Sequence, residues 1–491
     1  MCCWPWRANA LLIPEVDMLP LLSASGMRAF ERRSIEEWGI PSLVLQEHAA
    51  QGALALIPAG EAIFVLAGPG NNGGDALALA RLAVLKGRSV EVWTLDANPK
   101  WRGDAALQAR LWEGLGRGYR CTDDPRTVVA TFHGWVVDGL FGLGTRLPLP
   151  ALAQAWIESL NARGCSVLAL DQPTGLDPSS GNVSGEVLQS RCTACFGHRK
   201  ICHGLRPAKD FCGEITVLDL PLKGTPEADL MLMEAPRLKP ILWNSHKRDF
   251  GHVAIRAGRL GMSGAAVLAT LGALHGGAGL VTVLVDPEIR AEVAGQVPEA
   301  MVRDWTGQVP EGIDVLLVGP GGVEEVPDWS GLLVLDASAL GPREGTRWMA
   351  RPGTILTPHP GEFSRLFDGQ DISSRTAMDR LTAIRSVSKG PGVLVLKGAQ
   401  TLIGGADEEV VYLNDTGHSG LSTGGTGDFL AGLIAARVAR HARTGVDAAK
   451  LKVAAAEAVW LHGAAADRLG PGPLLVRELG PALSLLLREL L

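Results

Sequence analysis

The sequence predicts two different α/β domains on one chain, each a doubly wound sheet with helices packed against it. Three observations predict this. At 491 residues the chain exceeds one ordinary hydrophobic core. Short, continuously apolar runs alternate with helical segments, which is the pattern of buried parallel strands and their crossover helices. The alternation breaks once, over residues 224–243, where prolines and acids without a clear period read as a linker. The composition agrees: 46% hydrophobic, 20% charged and 61 glycines suit helices packed closely on sheets.

Residues 1–18, "MCCWPWRANALLIPEVDM", read as an extension; one Arg, a Pro and early acids make a poor signal peptide. The first domain is expected over 19–223. An amphipathic stretch, "SGMRAFERRSIEEWGI", and the apolar "PSLVLQEHAAQGALALI" open it. The strands expected next are "AIFVLAG", "SVEVWTL", "GWVVDGLFG", "CSVLALDQPTG" and "EITVLDL", with helices over Asp75–Lys86 and Ala151–Ala162 between them. The second domain is expected over 244–491. Its strands include "GLVTVLV", "DVLLVGPG", "LLVLDASAL", "GTILTPHPGE", "GVLVLKGA" and "TLIGG". Helices over Gly425–Ala439, Ala454–Leu469 and Leu474–Leu490 close it. The two halves share no alignable repeat.

Net charge of -6 gives no electrostatic case for a nucleic-acid partner or an acidic membrane. No charge-free apolar run approaches the roughly 18 residues a membrane span needs, so a cytoplasmic location is expected. Four of the eight cysteines, Cys192, Cys195, Cys202 and Cys212, lie near His198 and His203. A zinc site is disfavoured because "RCTACFG" reads as a strand, in which positions three apart point to opposite faces. Free, mostly buried thiols are the expectation.

Two glycine clusters carry the chemistry. "STGGTGDFLAGLIAA", from Ser422, leads into an apolar helix. A helix N-terminus has unpartnered N–H groups and partial positive charge, and glycines let an anion approach them. Asp428 would repel a phosphate, so its value is chemical: it accepts the proton of an attacking hydroxyl. A merely capped helix, with Thr426 or Asp428 satisfying backbone donors, is the alternative. "LKGAQT" offers a cation and backbone groups at a strand end, and "TPHPGEF" adds a His and a Glu at another. In doubly wound sheets such strand ends converge on one crevice.

The second half resembles the ribokinase-like superfamily, and within it the ADP- or ATP-dependent NAD(P)H-hydrate dehydratases. The motifs appear in order: "HKRDFGHV", "GMSGAAVLATLGALHGGAGLVTV", "VGPGG", "VLDASAL", "LTPHPGEF", "VLKGAQT" and "STGGTGDFLAG". The resemblance implies that a nucleotide phosphorylates the ring hydroxyl of a hydrated nicotinamide cofactor and that loss of phosphate restores the double bond. It implies Asp428 as the base, and Gly425, Thr426 and Gly427 around the transferred phosphoryl group. Lys397, Gly398, Ala399, Gln400 and Thr401 would line the nucleotide side. Ala265, Gly321 and His359 would contact the hydrate together with Asp428, and Glu362 would organise Mg²⁺ and water. Ser338 stands where the family usually has a second Asp, and "HSGLSTGG" replaces "GNPGMATGG". A small-molecule kinase that leaves phosphate on its product remains the enzymatic alternative.

The other cluster, "AGPGNNGGDA", follows a strand and precedes a helix but has neither a P-loop Lys nor the GxGxxG pattern. Its two Asn side chains suit a phosphate, an amide or an alkali cation; a structural turn is the alternative. "VVDGLFGLGTR" and "LALDQPTGLDP" end later strands with Asp138, and with Asp171 and Thr174. These motifs resemble the Rossmann-like NAD(P)H-hydrate epimerase domain over roughly residues 20–222. The resemblance implies K⁺ held by Asn72, Asp138 and Thr174. It implies hydrate contacts from Asn71, Asn72, Gly73, Gly74, Asp75 and Asp171, and from Gly142, Leu143, Gly144, Thr145, Arg146, Leu147 and Pro148. Asp171 is the acid/base candidate. Ala76 replaces a usual Gly, His48 a usual Asn, and Thr174 a usual Ser. A non-catalytic binding module is the alternative for this half. Together the halves resemble the bifunctional hydrate-repair family, in which one site converts the epimer that the other cannot use. NADH and NADPH hydrates and ADP or ATP are the implied partners, and a homo-oligomer is expected.

Overall fold

The structure, a computed structural model, describes residues 16–238, 240–368, 372, 376–443 and 445–491. It divides into two compact units. One holds Pro20–Leu230 with Thr376–Met378; the other holds the described residues of 1–19, 231–375 and 379–491.

In the first unit six strands form one sheet in the order Val90–Thr94, Ile63–Ala67, Trp135–Gly139, Ser166–Leu170, Cys192–Phe196 and Glu214–Leu218. Every neighbouring pair is parallel. Ile63–Ala67 and Trp135–Gly139 are buried along their whole length, as a sheet covered on both faces requires. From Ile63–Ala67 the chain runs outward to Val90–Thr94 and then returns to Trp135–Gly139 on the other side. The strand order therefore reverses between Ile63–Ala67 and Trp135–Gly139, where a crevice opens at the carboxyl ends.

The residues after Ile63–Ala67 depart from expectation. Asn71 to Asp75 are not a loop ahead of a helix; they are the first turn of the helix Asn71–Leu85. Backbone packing explains this. A Cβ on Gly73 would strike the carbonyl oxygen of Gly68, and one on Gly68 would strike that of Leu140. Only glycine lets the helix start this close to the strand ends. Ala76 fits because its methyl group faces Gly139, which has no Cβ to oppose it.

The second unit carries an eleven-stranded sheet in the order Val16–Pro20, Leu230–Pro236, Glu408–Asn414, Thr401–Gly405, Val393–Leu396, Thr354–Leu356, Leu332–Leu335, Val315–Val318, His252–Arg256, Leu280–Val285 and Met301–Asp304. Pairing is parallel from Val393–Leu396 to Met301–Asp304. Val393–Leu396, Thr401–Gly405 and Glu408–Asn414 pair antiparallel, because their short connections cannot make a crossover. The order reverses between His252–Arg256 and Val315–Val318, placing a second crevice there.

Two strands fall where none was expected. Leu230–Pro236 lies inside the supposed linker 224–243, and Val16–Pro20, which extends into the supposed extension 1–18, is its neighbour. Leu230, Leu232 and Met233 are buried. The prolines on either side of this short stretch hide its strand character in the sequence. The rest of the extension, 1–15, lies outside the described residues. Two helices of this unit, Ser263–His275 and Thr426–Ala442, touch backbone to backbone. A Cβ on Gly272 would strike the Phe429 carbonyl, and one on Gly432 would strike that of Ala269. This contact sets the N-terminus of the Asp428 helix beside the second crevice.

Candidate active sites

At the first crevice lies a cavity of about 510 Å³, lined by Asn71, Asn72, Asp75, Gly142, Leu143, Gly144 and Asp171 among others. Eight stretches of sequence, from Arg28 to Leu220 and so up to 192 residues apart, meet there. Asp138 lies under this wall and is fully buried with Thr174. Its Oδ1 accepts from Thr174 Oγ1 at 2.7 Å and its Oδ2 from the Thr174 N–H at 2.7 Å. Burial pushes the Asp138 carboxyl up to about 6, against these hydrogen bonds. Asn72 packs on Gly142, and its Nδ2 has no partner although the residue is only 8% exposed. Thr145, Arg146, Leu147 and Pro148 are not on the cavity wall. Thr145 Oγ1 instead donates to Gly142 O at 2.7 Å, bracing the loop. Gly73 and Gly74 also stay off the wall; Gly74 is confined by Gln46 and Ala105.

Asp171 follows its strand in the left-handed region, at φ 66°, a conformation Asp tolerates and functional sites often hold. It forms an ion pair with Lys200, which is fully buried. Lys200 Nζ also donates to Phe196 O at 2.9 Å. Burial alone would lower the ammonium's pKa, but Asp171 and Cys195 outweigh it and hold it above its ordinary value. Glu31, on the helix Ala24–Glu36, lines the same cavity. Burial first, and then Asp171, push its carboxyl up to about 7, while Lys200 and Arg28 pull the other way. Burial, Asp171 and Glu31 push Asp75 well above the carboxylate range. Lys200, Glu31 and Gln46 are site residues that sequence reasoning missed, since no motif marks them. His48 is exposed and off the wall, so its departure from the pattern leaves the cavity unchanged.

The cysteines have separate partners. Cys195 Sγ lies 3.1 Å from His198 O, Cys202 Sγ 3.6 Å from Gln172 Oε1, and Cys212 Sγ 3.5 Å from Ala208 O. Burial raises all three thiols, Cys195 to about 11 and Cys212 to about 12, which keeps them protonated and inert.

In the second crevice, Gly425 caps the helix Thr426–Ala442 at φ 94°, a dihedral that favours glycine. Thr426 is buried and its hydroxyl is committed to Leu421 O and Thr423 O, both at 2.9 Å, so its side chain shapes the loop. Asp428 follows in the first turn. Burial, then Asp336, push its carboxyl up to about 7, with Lys397 opposing. Lys397 Nζ donates to Asp336 Oδ1 at 2.7 Å and stands 4.0 Å from Glu362. It also sits 3.4 Å from where a Cβ on Gly427 would be, so the cation meets the helix N-terminus. Burial tends to lower the Lys397 ammonium, but Asp336, then Glu362 and Asp428, hold it above its ordinary value.

Asp336 is 1% exposed and also accepts from Thr357 Oγ1 at 2.7 Å. The next residue, Ala337, is left-handed at φ 48° and starts a short turn that includes Ser338. His359 caps the helix Pro360–Leu366, where its Nδ1 accepts from the Gly361 and Glu362 N–H groups. Its Nε2 reaches toward Glu362 Oε1 at 3.4 Å. Gly321, at φ 71°, packs against Ala265 and Met262 at the strand-order reversal, so these two expected hydrate contacts meet. Gly398 and Ala399 are exposed and Thr401 starts a buried strand; Gln400 is buried and donates to Asp415 at 3.0 Å. Arg380 lies against Gly398, a cation on the nucleotide side that the motifs did not reveal. Neither did they reveal His462, whose buried ring is pushed down to about 4 by burial and then by Lys397.

Comparison with known proteins identifies the family. Residues 253–473 match the model of the NAD(P)H-hydrate dehydratase family, and residues 43–202 match that of the YjeF-related protein N-terminus. A bifunctional NAD(P)H-hydrate repair enzyme of Coxiella burnetii is 35% identical, over 94% of this chain and 98% of its own. One from Escherichia coli K12 is 31% identical, over 94% and 91%. The solved ADP/ATP-dependent NAD(P)H-hydrate dehydratase of Bacillus subtilis, co-crystallised with ATP and Mg²⁺, is 30% identical, covers 52% of this chain and 95% of its own, and has a TM-score of 0.45. With both family models on one chain and relatives that match almost its whole length at 31–35% identity, this protein belongs to the bifunctional NAD(P)H-hydrate repair enzymes, which pair an epimerase with a dehydratase.

Proposed function

We propose that the C-terminal unit uses ADP or ATP to phosphorylate the ring hydroxyl of the S hydrate of NADH or NADPH, and then eliminates phosphate. The observation that carries this reading is Asp428, a carboxyl tuned to about 7 at a glycine-capped helix N-terminus beside Lys397. A base with that pKa is ionised near neutral pH and still basic enough to take a proton. It removes the hydroxyl proton as the oxygen attacks the terminal phosphorus. The N–H groups of the first helical turn, with Lys397, hold the charge that spreads over the transferred oxygens. Loss of the phosphate ester's C–O bond, with a proton leaving the neighbouring ring carbon, restores the double bond. Ala265, Gly321 and His359 would contact the hydrate, and Lys397 to Thr401 the nucleotide.

Mg²⁺ fits this crevice. An ion held mainly by nucleotide phosphates needs few protein ligands. Glu362, nearly buried and at the crevice, is the residue that would hold its water shell. The ion would neutralise phosphate charge.

The N-terminal unit interconverts the R and S hydrates in this reading. Asp171 would face the reacting carbon, and Asn71, Asn72 and Asp75 with Gly142 to Gly144 would hold the nicotinamide. Asn72, Asp138 and Thr174 supply amide, carboxylate and hydroxyl oxygens, a set that fits K⁺, and the buried Asn72 Nδ2 has no partner in the structure. The ion would fix the loops that close the cavity. A homo-oligomer working in the cytoplasm completes the proposal. The test is phosphate release from S hydrate with each nucleotide: stoichiometric inorganic phosphate supports dehydration, whereas a stable phosphorylated product identifies a kinase.

A further inference from the structure

Resting on the epimerase reading, we infer that Glu31 is a second acid/base group of the N-terminal site, carrying the proton that the substrate hydroxyl takes on leaving and gives up on returning. Glu31 reaches the cavity from the helix Ala24–Glu36, and Asp171, 140 residues further along the chain, reaches it from the end of the strand Ser166–Leu170. The same helix is tied to the substrate loop, because Arg28 Nη1 donates to Leu143 O at 2.9 Å. Asp171 is already bound to Lys200, whose ammonium is fully buried and also held by Phe196 O. That pairing occupies Asp171 as a fixed negative charge. Among the described residues Glu31 has no such partner in an ion pair, and the charged groups that act on it or that it acts on are Asp171, Lys200, Arg28 and Asp75. Two further atoms on the same wall point to a polar ligand there: Gln46 Oε1 and Asn72 Nδ2 have no hydrogen-bond partner, on residues 6% and 8% exposed.

The chemistry needs such a group. The hydrated carbon bears a hydroxyl next to the ring nitrogen. As the C–O bond breaks, its electron pair leaves with oxygen, Glu31 supplies a proton, and water departs. The nitrogen lone pair closes a C=N bond, and the resulting planar cation faces the Asp171 carboxylate. Water then adds to the opposite face, its oxygen bonds to carbon, the C=N pair returns to nitrogen, and the surplus proton returns to the Glu31 carboxylate, restoring the starting acid. Nothing is consumed, as an epimerisation requires. A carboxyl pushed toward neutrality beside one locked in an ion pair is the arrangement that separates acid from anion.

The test uses the full chain with K⁺ and no nucleotide, so that the dehydratase is silent, and follows exchange of purified R hydrate into S hydrate by chromatography against pH. Glu31→Gln is expected to lower kcat about 100-fold, within the span of general acid–base effects, with KM little changed and the limb near pH 7 gone. Glu31→Asp is expected to recover part of the rate and keep that limb. Nucleotide-dependent dehydration of S hydrate by either variant stays at the wild-type level, which shows that the chain is folded. Exchange by Glu31→Gln at the wild-type rate, or a residual activity that keeps the wild-type pH limb, overturns the inference. A wild-type chain that does not exceed spontaneous exchange fails differently: it removes the epimerase reading itself, and the role of Glu31 with it.

Discussion

Asp428 couples function to stability through one pKa. As the proposed base it must be ionised, so dehydration should rise with pH up to about 7 and then level off; a rate measured at saturating nucleotide and S hydrate checks this. Its folded pKa lies above the unfolded value, so the folded state holds more protons between about 4 and 7. Stability contributed by this group is therefore present at low pH and lost as pH rises through about 7. Asp428→Asn should abolish dehydration yet melt higher than wild type at pH values above 7, where wild type carries the cost of the buried charge. A variant that melts lower there contradicts this. Lys200 makes the opposite case. Lys200→Met leaves Asp171 without its partner in a buried site and should cost about 3–5 kcal/mol in chemical unfolding. The motif residues Asn72, Asp138, Asp171, Lys397 and Asp428 were legible in the sequence because each sits in a short run that already names its neighbours. Glu31, Lys200, Arg380 and His462 were not, because what makes them matter is contact across distant segments.

At the scale of elements, glycine decides where the helices Asn71–Leu85 and Thr426–Ala442 can start and what they can lie against. Gly432 meets the Ala269 carbonyl, so Gly432→Ala must push apart the helices Ser263–His275 and Thr426–Ala442. The expected loss is about 1–3 kcal/mol by denaturant titration, the cost of overpacking. Gly424, in the loop before Thr426, has open space around it, so Gly424→Ala should stay within about 0.5 kcal/mol of wild type. Equal losses for the two would mean that the backbone contact does not set the packing. The alternation of strand and helix was readable from hydrophobic runs alone. The start of the helix at Asn71 was not, since glycines weaken any local helix signal and only the close approach to Gly68 and Leu140 explains them. The strand Leu230–Pro236 was hidden for a related reason: its prolines mark a linker, and its pairing partners lie far away in the chain.

For the whole molecule, two chemistries on one metabolite explain why both glycine clusters sit on one chain. In the first sheet the candidate residues gather at the strand-order reversal; in the second, Ala265 and Gly321 lie at the reversal, whereas Asp336, Glu362 and Lys397 follow neighbouring strands along the same carboxyl edge. Strand order itself could not be read from the sequence, because parallel neighbours are chosen by crossovers between distant segments. That the strand ends would converge could be read, since it follows from the α/β pattern. A chain of two coupled activities should show their division of labour in variants: Asp171→Asn should lose epimer exchange while dehydrating pure S hydrate at the wild-type rate. The most direct test of the account gives the purified chain a mixture of R and S NADH hydrate with Mg²⁺, K⁺ and ADP or ATP, and follows reduced-nicotinamide absorbance and phosphate together. The account predicts recovery of both epimers, faster than their spontaneous exchange, with one phosphate released per NADH restored. Recovery that stalls when one epimer is spent would contradict it.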